Sequence, residues 1–220
     1  MIVGCTALEE LTVGGSGLAQ DTVNYSYQPF SMKANDDNNS LRKITILEGV
    51  TEIGYALFAN TPSSGPDRGY VHLETLVLPS TLKIIDSKAF YKCGIYQLAL
   101  SSNITFLGSQ AFSGCNRLTD VSVDGNNLTI GSNCFENTGA LKTVVIHGGV
   151  KSIGSSAFRG SGAQNITIED GVTTIGNYVF QNCTKLKTLV FPNSISKYGT
   201  EMIVGCTALE ELTVGGSGLA

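Results

Sequence analysis

Apolar residues return along this chain in short bursts of one shape. The bursts read LRKITI from Leu41, LETLVL from Leu73, IYQLAL from Ile95 and LTDVSV from Leu118. They continue as LKTVVI from Leu141, AQNITI from Ala163, LKTLVF from Leu186 and LEELTV from Leu209, and LEELTV also stands at Leu8. Positions one, four and six are apolar, and the last three alternate in, out, in, as a half-buried strand does. A second apolar pair follows most bursts: Val50/Ile53, Leu82/Ile85, Ile104/Leu107, Val150/Ile153 and Val172/Ile175. Each unit then closes on Phe58, Phe90, Phe112, Phe135, Phe158 or Phe180, spaced by 32, 22, 23, 23 and 22 residues. A further 23 residues falls on Ile203, so the period is 22–23 residues with one longer step. Between pair and Phe stands a recurrent glycine (Gly54, Gly108, Gly131, Gly154, Gly176, Gly199), replaced once by Asp86. Glycine relieved by Asp predicts a turn with positive φ.

One such unit buries too little apolar surface to offset the entropy of ordering its backbone. Stacked units share faces and a strand ladder, which makes the array the folding unit. The sequence therefore predicts a solenoid, with residues 1–220 as a single repeat domain.

The pattern LxxLxLPxxLxxIGxxAFxxCxxL resembles the BspA-like class of leucine-rich repeats, and LETLVLPSTLKIIDSKAFYKCG at 73–94 follows it nearly letter for letter. The resemblance covers residues 41–208. It implies a right-handed leucine-rich repeat solenoid of about eight units, with a parallel β-sheet on one face and short 3-10 or helical turns on the other. It also implies a surface-exposed or secreted protein of a family that includes adhesins. A signal or anchor is expected outside these residues, because Ile2-Val3-Gly4-Cys5 lacks the basic and apolar leader that would make it a lipoprotein cleavage box.

Two stretches break the rhythm. Residues 14–40 form an irregular insertion, and residues 59–72 form a loop about ten residues longer than the period needs. Both are rich in turn formers. Their aromatics, Tyr25, Tyr27, Phe30 and Tyr70, either meet a ligand or pin the loops to the core.

Bulk composition narrows the partners. Charged residues are 15% of the chain and the net charge is −4, which argues against nucleic acid or an anionic membrane. No apolar run reaches the length of a membrane span. The expected partner is a protein or glycan.

The candidate chemistry is sparse. Cys93, Cys115, Cys183 and Cys206 occupy one repeat slot, which Thr61, Thr138 and Ser161 fill elsewhere; Cys5 duplicates Cys206. The slot reads as structural. Buried free thiols fit it, and so do disulfides between neighbouring units. Cys134 takes the alanine slot instead. His72 and His147 sit in different units with no acidic partner at a telling spacing, and His147 is expected in solvent at the sheet edge. There is no GxSxG, HExxH, Walker loop or dinucleotide fingerprint. No metal or cofactor site is expected, and no enzymatic activity.

The strongest functional candidate is the outward surface of the strands. One row reads Glu10, Lys43, Thr75, Gln97, Asp120, Thr143, Asn165, Thr188. Beside it run Thr12, Thr45, Val77, Ala99, Ser122, Val145, Thr167 and Val190. Within this face Arg42, Lys43, Thr75, Tyr96, Gln97, Asp120, Lys142 and Asn165 are the candidate partner-binding residues, with Arg42 and Tyr96 as anchors.

Residues 202–220 repeat residues 1–19 letter for letter, whereas the other units share only a pattern. The identity points to a recent duplication or a designed overlap. It also suggests head-to-tail self-association through Leu209, Glu211, Leu212 and Val214, since an open strand edge pairs with another chain.

Overall fold

The computed structural model describes residues 7–15, 18, 40–59 and 70–217. In chain order its strands are β1 (Glu10–Val13), β2 (Lys43–Ile46), β3 (Glu52–Ile53), β4 (Thr75–Val77), β5 (Ile84–Ile85), β6 (Gln97–Ala99), β7 (Phe106–Leu107) and β8 (Asp120–Val123). They continue with β9 (Leu128–Ile130), β10 (Thr143–Ile146), β11 (Val150–Ile153), β12 (Asn165–Ile168), β13 (Thr174–Ile175), β14 (Thr188–Val190) and β15 (Glu211–Thr213). All pair in parallel. The six-residue bursts make one face, as a three-stranded sheet β1-β2-β4 followed by a six-stranded sheet β6-β8-β10-β12-β14-β15.

The second apolar pair also forms a sheet, six strands ordered β3-β5-β7-β9-β11-β13. Two-residue strands such as Ile84–Ile85 carry too short an alternation to announce themselves; the pairing of each with the next unit makes them strands. The turn side is hydrogen-bonded between units as well. The amides of Phe58, Phe90, Phe112 and Phe135 donate to the carbonyls of Ala89, Ala111, Cys134 and Ala157 one unit on. A 3-10 turn occurs at Tyr70–His72. Among the described residues six complete turns are present, against the eight units expected. The unit from Leu8 runs into residues outside the described ones. In the unit from Leu186 a single bridge, Lys197 to Thr174, stands where the second strand would be.

Between the sheets lies one continuous core. Its spine is a column of phenylalanines, from Phe58 through Phe90, Phe112, Phe135 and Phe158 to Phe180, with neighbouring ring centroids 5.2–6.0 Å apart. Tyr70 is buried edge-on against Phe58, so this aromatic of the 59–72 loop pins chain to core. At the other end Phe191 and Tyr198 close the column, and the Tyr198 hydroxyl donates to the Gly215 carbonyl. Tyr25, Tyr27 and Phe30, and most of both insertions, lie outside the described residues.

The glycine slot works differently from the expectation. Gly108, Gly131, Gly154, Gly176 and Gly199 do not have positive φ; Lys88, Gln110, Asn133, Ser156 and Tyr178 do, two residues after the slot. The glycines are needed because consecutive units touch backbone to backbone there. A Cβ on Gly131 would stand 2.6 Å from the carbonyl carbon of Gly108, and one on Gly154 2.7 Å from that of Gly131. Asp86 fills the slot between Gly54 and Gly108, and there too the left-handed conformation falls two residues later, on Lys88.

Candidate binding face

The strand register places the two outward rows as the sequence orders them. Gln97, Asp120, Thr143, Asn165, Thr188 and Glu211 are consecutive partners, and so are Ala99, Ser122, Val145, Thr167, Val190 and Thr213. Glu10, Lys43 and Thr75 continue the first row on the smaller sheet. A third row precedes the strands, with Lys142 donating its amide to Thr119 and Thr119 to Tyr96. The candidate residues therefore fall into two groups. Tyr96, Gln97, Asp120, Lys142 and Asn165 lie together on the six-stranded sheet. Arg42, Lys43 and Thr75 lie on the three-stranded one.

Several of these side chains already have partners. Arg42 is 3.7 Å from Glu74 and reaches the His72 carbonyl, and Lys43 is 3.3 Å from Glu10. Exposed pairs of this kind contribute little stability and exchange readily for an incoming partner. Tyr96 carries the Arg117 guanidinium 4.0 Å from its ring centroid. Arg117 also donates to the Val71 carbonyl, so it ties the anchor to the end of the 59–72 loop. Sequence reasoning missed Arg117. It lies just before the burst that follows Tyr96, and aligning slots between adjacent units would have exposed it.

His147 likewise has partners. Its Nδ1 stands 3.1 Å from a Glu169 carboxylate oxygen and its Nε2 3.0 Å from Ser122 Oγ. His147 follows β10 and Glu169 follows β12, one repeat later, so an acidic partner was present at repeat spacing and not at local spacing. Ser122, His147, Glu169, Asp124 and the strand β6 line a shallow hollow of about 660 Å³. Among the described residues no group of three or more His, Cys, Asp or Glu could hold a metal ion.

The cysteine slot lies inside. Cys93, Cys115 and Cys183 are buried free thiols; Cys206 is free and partly exposed. Cys93, Cys115, Cys183 and Cys206 donate from Sγ to the carbonyls of Phe58, Phe90, Phe158 and Phe180 in the preceding unit, at 3.0–3.2 Å. Thr138, in the same slot, instead donates its hydroxyl to the Phe135 carbonyl of its own unit. Burial pushes the Cys115 thiol up to about 12 and raises those of Cys93 and Cys134. Cys183 is raised by its contact with Cys206 and by burial, while Cys206 is lowered by its hydrogen bond with Cys183. Cys5 lies outside the described residues.

At the end of the ladder Leu209 packs against the core, while Glu211, Leu212 and Val214 are exposed. Leu212 and Val214 border a hollow of about 290 Å³ with Phe191, Tyr198 and Met202.

A solenoid of two parallel ladders around a phenylalanine spine, presenting a broad polar sheet face, defines a leucine-rich repeat protein. The model of the BspA type leucine-rich repeat region matches residues 15–65, 68–164 and 118–218, in six copies. The chain belongs to that family. A comparison with curated proteins finds no match. Among solved structures the chain is similar to a leucine-rich repeat protein of T. pallidum, with 23% identity and a TM-score of 0.50, covering 82% of this chain and 71% of that one. A leucine-rich repeat protein of Bacteroides ovatus gives 24% identity and a TM-score of 0.51, covering 94% and 64%. The pneumococcal vaccine antigen PcpA gives 16% identity and a TM-score of 0.58, covering 96% and 62%. The chain thus spans roughly two thirds of the length of these structures. At such identities the likeness establishes the fold.

Among the described residues no helix is long and apolar enough to cross a membrane.

Proposed function

We propose that this chain is an extracellular or cell-surface recognition module that binds a protein or glycan through its six-stranded sheet. The observation that carries the reading is the patch of Tyr96, Gln97, Asp120 and Lys142, drawn from three consecutive units onto one face, with Arg117 linking Tyr96 to Val71. An interface anchored on an aromatic and an arginine matches the chemistry of binding hot spots, and Tyr96 with Arg117 supplies both. Repeat solenoids use such continuous faces for binding, and family membership supports a surface or secreted location. The test is a printed panel of purified extracellular-matrix proteins and glycans. It is probed with the wild-type chain, with Tyr96→Ala/Gln97→Ala/Asp120→Ala/Lys142→Ala, and with Lys83→Ala/Lys151→Ala near the second sheet. Binding lost with the first variant and kept with the second supports the reading. Binding that survives the first variant removes this face as the site.

A second reading is end-to-end stacking. Its support is that one segment pairs on either side: Glu10–Val13 with the following strand β2, and its copy Glu211–Thr213 with the preceding strand β14, in matching register. Since β1 already covers that side of β2, a second molecule would set its β2 against the first molecule's β15 by displacing its own β1, the identical segment, and this exchange would keep both pairings. Light scattering across a concentration series, with Leu212→Glu as the control, separates the readings. Mass that grows only for the wild type favours stacking.

A further inference from the structure

The geometry points to a reactive serine on the sheet face: Ser122, with His147 as its base and Glu169 as the positioning residue, forms an acyl-transfer site for short-chain esters. This goes beyond partner binding. The three residues come from three consecutive units and meet only through the strand register. Ser122 points outward from β8, and β10 is paired with β8 on one side and β12 on the other. The chain after β10 is held by the His147 amide, which donates to the Val123 carbonyl, and that after β12 by the Glu169 amide, which donates to Ile146.

The hydrogen-bond direction follows from chemistry. A carboxylate only accepts, so at 3.1 Å Nδ1 of His147 carries the proton toward Glu169. In the neutral ring Nε2 then has a free lone pair, and at 3.0 Å it accepts the Ser122 hydroxyl. Nucleophile, base and orienting acid thus stand in the order that activates a serine, whatever the fold that carries them. The side chains of His147 and Glu169 are 36% and 48% exposed, so the site is open to substrate and to water. Leu98 and Leu100 turn into the core, so beside Ser122 the adjoining hollow presents the small outward side chain of Ala99, which leaves room for a short acyl group.

The step balances without a cofactor. Ser122 Oγ attacks the ester carbonyl carbon while its proton passes to His147 Nε2. The tetrahedral adduct collapses, the C–O bond to the alcohol breaks, and the alcohol leaves with the proton from Nε2. Water then attacks the acyl-Ser122 ester, giving its proton to Nε2. Collapse restores the serine hydroxyl and releases the carboxylic acid. Since the hollow is shallow and wet, the substrates are activated, unhindered esters.

The test uses the full chain with p-nitrophenyl butyrate and, separately, a biotinylated fluorophosphonate. Wild-type protein is expected to take up one phosphonyl group, mapped to Ser122 by peptide mass. Ser122→Ala is expected to abolish labelling and lower ester turnover at least tenfold. His147→Gln is expected to slow labelling at least tenfold with Ser122 still present, in line with the 10²–10⁴-fold contribution of a general base. Glu169→Gln is expected to lower kcat while leaving KM in place, a split that loss of folding would not give. Ser102→Ala, an exposed serine elsewhere, is expected to match wild type. The variants change exposed side chains, and unchanged circular dichroism verifies the fold. Labelling of Ser122 no faster than that of Ser102, or ester turnover equal in wild type and Ser122→Ala, overturns the assignment.

Discussion

The phenylalanine spine makes a quantitative demand on stability. Phe135 is fully buried, with Phe112 at 5.5 Å and Phe158 at 5.2 Å, and the rings are within 9° of parallel. Truncation to alanine removes the transfer energy of the ring and leaves a cavity, together about 3–5 kcal/mol. Each ring contact contributes about 0.5–1.5 kcal/mol beyond burial, so losing two sets the expectation near the upper end, about 5 kcal/mol. Phe135→Leu keeps most of the apolar volume and isolates the ring contacts, at about 1–3 kcal/mol. A chain of this length has a stability of roughly 10–30 kcal/mol, so both variants should fold. Because stability in a solenoid is a sum of unit and neighbour terms, a gap at the centre should also weaken coupling between the halves. Urea unfolding followed by circular dichroism measures the cost, and hydrogen exchange on peptides from residues 73–94 and 163–186 measures the coupling. A cost below about 2 kcal/mol for Phe135→Ala, with Phe135→Leu equal to wild type, would refute the spine as the main support.

The close backbone contacts and the buried thiols make further demands. Gly131→Ala forces a Cβ against the backbone of Gly108 and should cost about 1–3 kcal/mol by overpacking, whereas Gly139→Ala, whose nearest neighbour would be 3.8 Å away, should change the melting temperature little. At pH 8, iodoacetamide should modify Cys206 well before Cys93, Cys115, Cys134 and Cys183, as read by peptide mass; equal rates would contradict the packing of the slot. Above pH 9 the unfolded chain gives up the Cys115 proton while the folded chain keeps it until about pH 12, so stability should fall with rising pH across that window, by about 4 kcal/mol from this thiol alone. Cys115→Ala should remove that part of the alkaline slope in a melting series, and an unchanged slope would place the effect elsewhere.

Much of the architecture was legible because its signals repeat. The burst LxxLxL, the Phe position and the cysteine slot each recur at fixed period, so the first ladder, its register and its outward rows could be written down from the sequence. The second sheet could not, because strands of two residues such as Glu52–Ile53 are defined by pairing and not by alternation. The glycine slot was read as a φ requirement because a single sequence does not distinguish a left-handed turn from a close approach; the backbone contact at Gly131 does. The partners of His147 and Tyr96 were missed for a related reason. Glu169, Ser122 and Arg117 are near neighbours only across units, and a search along the chain tests the wrong spacing.

The central claim, that the six-stranded face receives a partner, is tested most directly by footprinting. A partner found on the protein and glycan panel is bound to the full chain, and the complex is labelled with a photoactivated carbene. The account predicts protection of Tyr96, Gln97, Asp120 and Lys142, with Phe106 and Lys151 on the second face labelled as in the free chain. Protection of Phe106 and Lys151, with the six-stranded face labelled as before, would contradict it.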